Sequence, residues 1–226
     1  MNLTPEEISN ESFKLGILIA KAMDNNDWGR FENALCNDPS VMRSRVNLSG
    51  DTFLHIATSY VNVRFVRNLV MMMPPQDLEV KNNIGTTAFE AAVVRGIKEI
   101  VEIMVHKNSN LVMIRTSKNV LPVVAAARSG NKDLVKYLYS MTPLSELSAE
   151  TSRDGVSLLT NAIVTDMYDV ALDLLHHYPK LVLPKDYYGL NAISLLAKRP
   201  SAFPSGFHQK GIFKCRYKNS NSIIYV

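Results

Sequence analysis

The chain has 226 residues, of which 46% are hydrophobic, 20% charged and 8% aromatic. That is enough apolar material to bury a core along most of its length, and the low aromatic share suits helix packing through small residues better than a β-sandwich. Its formal charge of +4 comes from the last twenty residues, where Lys210, Lys214, Arg216 and Lys218 stand without an acid. The body from Met1 to Gly206 balances at 21 basic and 21 acidic residues, which argues against a nucleic-acid-binding surface.

Cys36 and Cys215 are too far apart in sequence for a disulfide framework or a zinc ligand spacing, so a reducing compartment is expected. The opening Thr4-Pro5-Glu6-Glu7 is polar where a signal peptide would be apolar. No apolar run approaches the ~18 residues that span a bilayer; Leu15–Met23 is the longest candidate, and it contains Lys21.

In chain order, residues 1–11 read as a short leading segment. A degenerate N-terminal capping unit follows, with a first helix at Leu15–Met23 and a second at Trp28–Leu35, capped by Asp27 and stopped by Asn37-Asp38-Pro39. Trp28, the single tryptophan, is expected to be a core wedge.

Five similar units come next. The first opens Gly50-Asp51-Thr52-Phe53-Leu54-His55-Ile56-Ala57 and continues in a second helix at Val63–Met71. The second opens Gly85-Thr86-Thr87-Ala88-Phe89-Glu90-Ala91-Ala92, breaks at Gly96 and resumes at Glu99–Val105. The third has Leu121–Ala126, a break at Gly130 and a helix at Lys132–Tyr139. The fourth has Gly155–Leu159 and Tyr168–His176, and the fifth runs from Gly189 to Pro200.

Two marker series share this period. Gly50, Gly85, Asn119, Gly155 and Gly189 are spaced by 35, 34, 36 and 34 residues; Pro39, Pro74, Ser109, Pro143 and Pro179 by 35, 35, 34 and 36. The repeat is close to the ~33 residues of a turn-plus-two-helix unit.

The grammar of each unit has physical causes. The four glycines suit turns with positive φ, and Asn119 tolerates one. Thr52, Thr87 and Ser157 sit where a hydroxyl caps the first helix, and Pro122 stands in a first helical turn where a missing N–H is harmless. Ala57, Ala91, Ala92, Ala125, Ala126 and Ala162 let first helices approach closely. Leu69, Ile103, Leu138 and Leu174 are expected to fill the core from the second helices. So small a unit cannot bury its own apolar face, and stacking is obligatory.

The segment Gly50–Ala57 resembles the Gly-x-Thr-Pro-Leu-His-x-Ala signature of ankyrin repeats. More narrowly, Asn26-Asp27-Trp28, Asp77–Gly85, Tyr137–Ser140, Ala171–Leu175 and Leu196–Phe203 resemble the plant ankyrin proteins that carry a Pro-Gly-Gly-containing transmembrane domain after the repeats. The resemblance implies an all-α ankyrin-repeat solenoid of about five helix pairs plus the capping unit, over residues 12–206. It also implies a role in plant stress or defence signalling, with relatives held at the plasma membrane and repeats on the cytosolic side. The chain departs from that pattern after Phe203, where about twenty mostly polar and basic residues follow, ending Ser222-Ile223-Ile224-Tyr225-Val226. The expectation is a truncated form without the membrane domain, located in the cytoplasm, with 207–226 a disordered basic tail.

No phosphate-binding glycine loop and no Gly-x-Ser-x-Gly elbow occurs. His55, the signature histidine, is expected to bond the backbone of an adjacent turn. His176 and His177 point about 100° apart on a helix and do not readily share one metal ion. His106 and Lys107 suit a helix C-terminus, and Met71-Met72-Met73 a helix exit before Pro74. No catalytic, cofactor or metal site is expected, and the chain is read as a non-enzyme, monomeric, that binds other proteins.

The contacts expected to serve that binding follow the Ala-rich stretches, at Tyr60, Arg95, Arg128, Ser129 and Thr165. Others lie at turn tips, at Lys81, Asn82, Asn83, Lys118, Arg153, Tyr187 and Tyr188. The alternative is a peripheral membrane-associated regulator whose tail, with Phe207, Phe213 and Tyr217 among its four cations, contacts anionic lipid.

Overall fold

The structure is a computed structural model that describes residues 17, 21, 27–29, 32, 42–149, 152–199, 214–216 and 223–225. Most of the expected capping unit, and the segment from Pro200 to Gly206, therefore lie outside the described residues. Within the capping unit, Ile17, Lys21, Trp28, Gly29 and Glu32 are helical and Asp27 is not, as a cap at Asp27 requires. Trp28 is half-buried and meets the ring of Phe65 edge-on, with centroids 5.2 Å apart.

The chain divides into two compact units, Met1–Thr142 and Pro143–Val226. In the first, three helix pairs follow one another: α1 Phe53–Ser59 with α2 Val63–Met72, α3 Ala88–Arg95 with α4 Lys98–Lys107, and α5 Pro122–Ser129 with α6 Lys132–Met141. First helices pack α1 on α3 on α5, and α2 packs on α4. Short 3₁₀ turns at Pro75–Glu79 and Ser109–Met113 lead out of α2 and α4.

Residue chemistry sets these boundaries. Thr87 Oγ1 accepts from the Glu90 N–H at 3.0 Å and starts α3; Pro122 is the first residue of α5. Gly96 and Gly130 end α3 and α5 at φ of 74° and 75°. Asn62 and Asn131 then restart the chain, each accepting from an N–H three residues on (Phe65 and Leu134) at 3.1 and 3.0 Å.

The core holds Phe53, Phe65, Phe89, Leu69, Ile100 and Met104, all essentially inaccessible. Burial of each such side chain contributes about 1.5–3 kcal/mol. Ala57, Ala92 and Ala126 are fully buried between first helices, whereas Ala91 and Ala125 are only half-buried. Ile103 is not the core residue of α4; it is half-buried, and Ile100, Val101, Met104 and Val105 fill the interior.

In the second unit α7 Asp154–Val164 packs on α8 Tyr168–His177 and on α9 Ala192–Ala197, with 3₁₀ turns at Leu144–Leu147 and Pro179–Val182. Here the sequence reading needs two corrections. Gly50, Gly85, Gly189 and Asn119 do take positive φ, at 70°, 79°, 77° and 57°, but Gly155 does not. It lies inside α7, and its role is close approach: a Cβ built there would sit 1.8 Å from the Leu147 carbonyl oxygen. Ser157 consequently falls within the helix rather than at its cap, and its buried Oγ has no hydrogen-bond partner. The hydroxyl of Ser152 accepts from the Asp154 N–H at 3.1 Å instead.

Lys214–Arg216 and Ile223–Tyr225 pair antiparallel, with Cys215 opposite Ile224. These six residues lie in the stretch for which composition predicts disorder. Ile223, Ile224 and Tyr225 are strong strand formers, a property outweighed in the sequence reading by the polar residues around them. Among the described residues no helix is long and apolar enough to cross a membrane.

Candidate interaction surface

Two kinds of position were expected to make contacts, the turn tips and the joints between first and second helices. At the tips of the first unit, adjacent turns are tied together by side chains. Asn82 Nδ2 donates to Asp51 Oδ1 at 2.7 Å, while Asn82 Oδ1 accepts from the N–H groups of Ile84 and Thr86. Asn83 Nδ2 donates to the Leu48 carbonyl at 3.0 Å, and Arg45 reaches Asn83 Oδ1, Gly50 O and Lys81 O at 3.1–3.2 Å. The amides of Asn82 and Asn83 thus join one turn to the next.

His55 makes a second tie. Its Nε2–H donates to the Thr86 carbonyl at 2.9 Å, which leaves Nδ1 to accept from the Thr52 hydroxyl at 2.8 Å. The ring is buried, and burial pushes its pKa below the usual histidine value. The backbone bond expected from sequence is present. One repeat later the buried Glu90 carboxylate accepts from the Ser117 N–H at 2.9 Å and the Ser117 hydroxyl at 2.7 Å.

The tips leave other side chains to solvent. Lys81, Lys118 and Arg153 are exposed, as are Tyr187 and Tyr188, whose turn is set by Asp186 accepting from the Tyr188 and Leu190 N–H groups. Leu48 and Ile84, 96% and 72% exposed, were missed. Each stands one or two residues before a turn glycine among polar neighbours, and that placement is the signal that a turn presents it outward.

At the joints, Tyr60, Val94, Arg95, Arg128 and Ser129 are exposed and Thr165 is half-buried. The Ser129 and Thr165 hydroxyls donate to the Ala126 and Asn161 carbonyls of their own helices. Neighbouring joints are stitched together: Arg95 Nη1 donates to the Ser59 carbonyl at 2.6 Å, and Asn131 Nδ2 to the Gly96 carbonyl at 2.8 Å. In the second unit Arg199 donates to the Val164 carbonyl and to Asp166. The joint takes a left-handed residue each time, Gly96 and Gly130 in two repeats but Val61 and Asp166, both at φ 57°, in the others.

On the second helices, Arg67, Val70, Met71, Ile103, His106 and Lys107 line a shallow groove between α2 and α4. Met73 is buried, but Met71 and Met72 are exposed. Lys107 Nζ caps α2 by donating to the Met71 carbonyl at 3.1 Å. His176 and His177 are both exposed, and their rings meet edge-on at 5.9 Å. Among the described residues no three His, Cys, Asp or Glu side chains converge as a metal site would.

The geometry is that of helix pairs joined by extended turns at a period of 34–36 residues. The crystal structure of EF0377, described as an ankyrin repeat protein, matches 80% of this chain and 91% of its own, with a TM-score of 0.57 and 19% identity. The fold is that of an ankyrin-repeat protein. No family model matches the sequence, and no curated protein does. In ankyrin terms, the Asn82–Asp51 and His55–Thr86 bonds join successive turn fingers, and the Arg95 and Asn131 bonds join successive inter-helix joints.

Proposed function

We propose that this chain is a protein-interaction module whose turn tips and inter-helix joints hold a partner. The observation that carries the reading is the division of labour in the first unit. Carbonyls and amides that an exposed edge would leave to water are bonded between repeats, while Tyr60, Val94 and Arg128 at the joints and Leu48 and Ile84 at the tips remain accessible. Rigid positioning of exposed aromatic, apolar and arginine side chains lowers the entropy cost of recognition.

On the sequence resemblance, the partner belongs to stress or defence signalling in a plant cytoplasm. The test is photo-crosslinking in native extract with benzoylphenylalanine placed at Tyr60, Ile84 or Tyr188 of the full chain, and at exposed Asn110 as control. A common adduct from the three positions and none from Asn110 is expected. Adducts no different from the control would remove the reading.

A further inference from the structure

The joints of the first unit gather cations on one edge beside a strained residue, and Lys98 there also pairs with Glu102 at 3.5 Å. Segments 59–67, 94–102 and 128–136 form one continuous edge, tied by the Arg95–Ser59 and Asn131–Gly96 bonds and by the Arg67–Glu99 ion pair at 3.1 Å. They hold seven basic residues (Arg64, Arg67, Arg95, Lys98, Arg128, Lys132 and Lys136) against Glu99, Glu102 and Asp133, a net of +4. The body from Met1 to Gly206 is neutral, so its remaining residues carry −4. The neutral total conceals a local excess of positive charge on this edge.

The cations are also placed against local preference. Lys98 and Lys132 are the first residues of α4 and α6, and Arg64 is the second of α2, whose first turn has no acid. A helix N-terminus is the positive end of the backbone dipole and disfavours them. The first turns of α4 and α6 partly offset this with Glu99 and Asp133; the corresponding helix of the second unit, α8, has Asp169 there and opens with Tyr168 rather than a cation. Among the cations, Val61 holds a left-handed φ of 57° that β-branched residues strongly resist, yet its side chain is 43% exposed and regains little by burial. Tyr60 and Val94 extend this apolar surface, at 50% and 55% exposure.

We infer that this edge binds an acidic segment of a partner protein, carboxylates on Arg64, Lys98 and their basic neighbours, with an apolar or aromatic side chain against Tyr60, Val61 and Val94. The interspersed Glu99, Glu102 and Asp133 repel a continuous polyphosphate, and the apolar patch matches an amphipathic peptide. The inference rests on the interaction-module reading and names the chemistry of its partner.

The test is selection of a displayed random dodecapeptide library on the full chain, then fluorescence anisotropy with an enriched peptide, a dodecathymidylate and phosphatidylserine vesicles. Enriched peptides are expected to be acidic with one or two bulky apolar residues, and to bind at least tenfold more weakly to Arg64→Glu/Lys98→Glu. Lys185→Glu, on an exposed turn of the second unit, is expected to leave binding unchanged. The double variant loses the exposed Lys98–Glu102 pair, worth little in water, and puts acids where the helix dipole favours them, so its melting temperature is expected to change little while binding is lost; misfolding would show in circular dichroism. Neutral or basic enriched peptides, binding indifferent to the double variant, or preference for the oligonucleotide or vesicles overturns the inference and leaves the module reading standing. No enrichment of any peptide overturns both.

Discussion

His55 shows how one side chain can be structural by its chemistry alone. A carbonyl partner fixes the proton on Nε2, and burial keeps the ring neutral. Its folded pKa lies below its unfolded value, near 6.5, so its contribution is fully present above that value and is lost as pH falls toward the folded one. Urea unfolding at pH 7.5 should show His55→Ala about 1–3 kcal/mol less stable than the parent. The gap should narrow at pH 5, because the parent alone gives up this term. The signature made His55 legible; its partner Thr86 lies 31 residues away, and which carbonyl it meets depends on how the turns stack.

Val61 is the opposite case, a residue whose conformation works against it. Asparagine tolerates the left-handed region, as Asn119 does at φ 57°. Val61→Asn should therefore raise stability by about 0.5–1 kcal/mol, measured by thermal or urea unfolding. No sequence rule marks a valine as left-handed. Only alignment of the joint with Gly96 and Gly130 would have raised the question.

At the scale of elements, the helices were legible to within a residue or two where caps and periodicity agree: Val63–Met72, Lys132–Met141 and Tyr168–His177 fall where the apolar spacing puts them. The first helix of the fourth repeat was not, because a glycine there was read as a turn residue like its counterparts. The same period can hold a glycine for a different reason, and Gly155 is kept small by the Leu147 backbone. Gly155→Ala should cost about 3 kcal/mol, the upper range for overpacking, seen as loss of the cooperative helical transition of the full chain at lower temperature. Asn131 serves two elements, capping α6 and donating to the Gly96 carbonyl at the end of α3. Asn131→Ala should lower stability by about 1–2 kcal/mol, and Asn131→Asp, which keeps the cap and loses the donor, should recover part of that in the same denaturant titration.

For the whole molecule, the repeat and its helical class could be read from the spacing of turn residues, because a unit that cannot bury its own face must recur. Net charge was the less faithful guide. The balance of the body gave no hint that cations gather on one edge, since sign counts discard position. Apart from the His55 bond to an adjacent turn, the ties between fingers escaped the reading: they join residues 27–38 positions apart, and no local pattern encodes a pairing at that distance.

One of those ties has a kinetic signature. Ser117 lies at an exposed turn tip, a place where amide protons ordinarily trade with solvent almost as fast as in an unfolded chain. Its N–H, however, points at the buried carboxylate of Glu90, so it is released only when the third finger swings away from the second repeat. In deuterium exchange the Ser117 amide should be slow, and Glu90→Ala should return it to the rate of its neighbour Lys118. The lifetime of that single proton then clocks how often adjacent repeats part at their tips while the helices behind them stay closed.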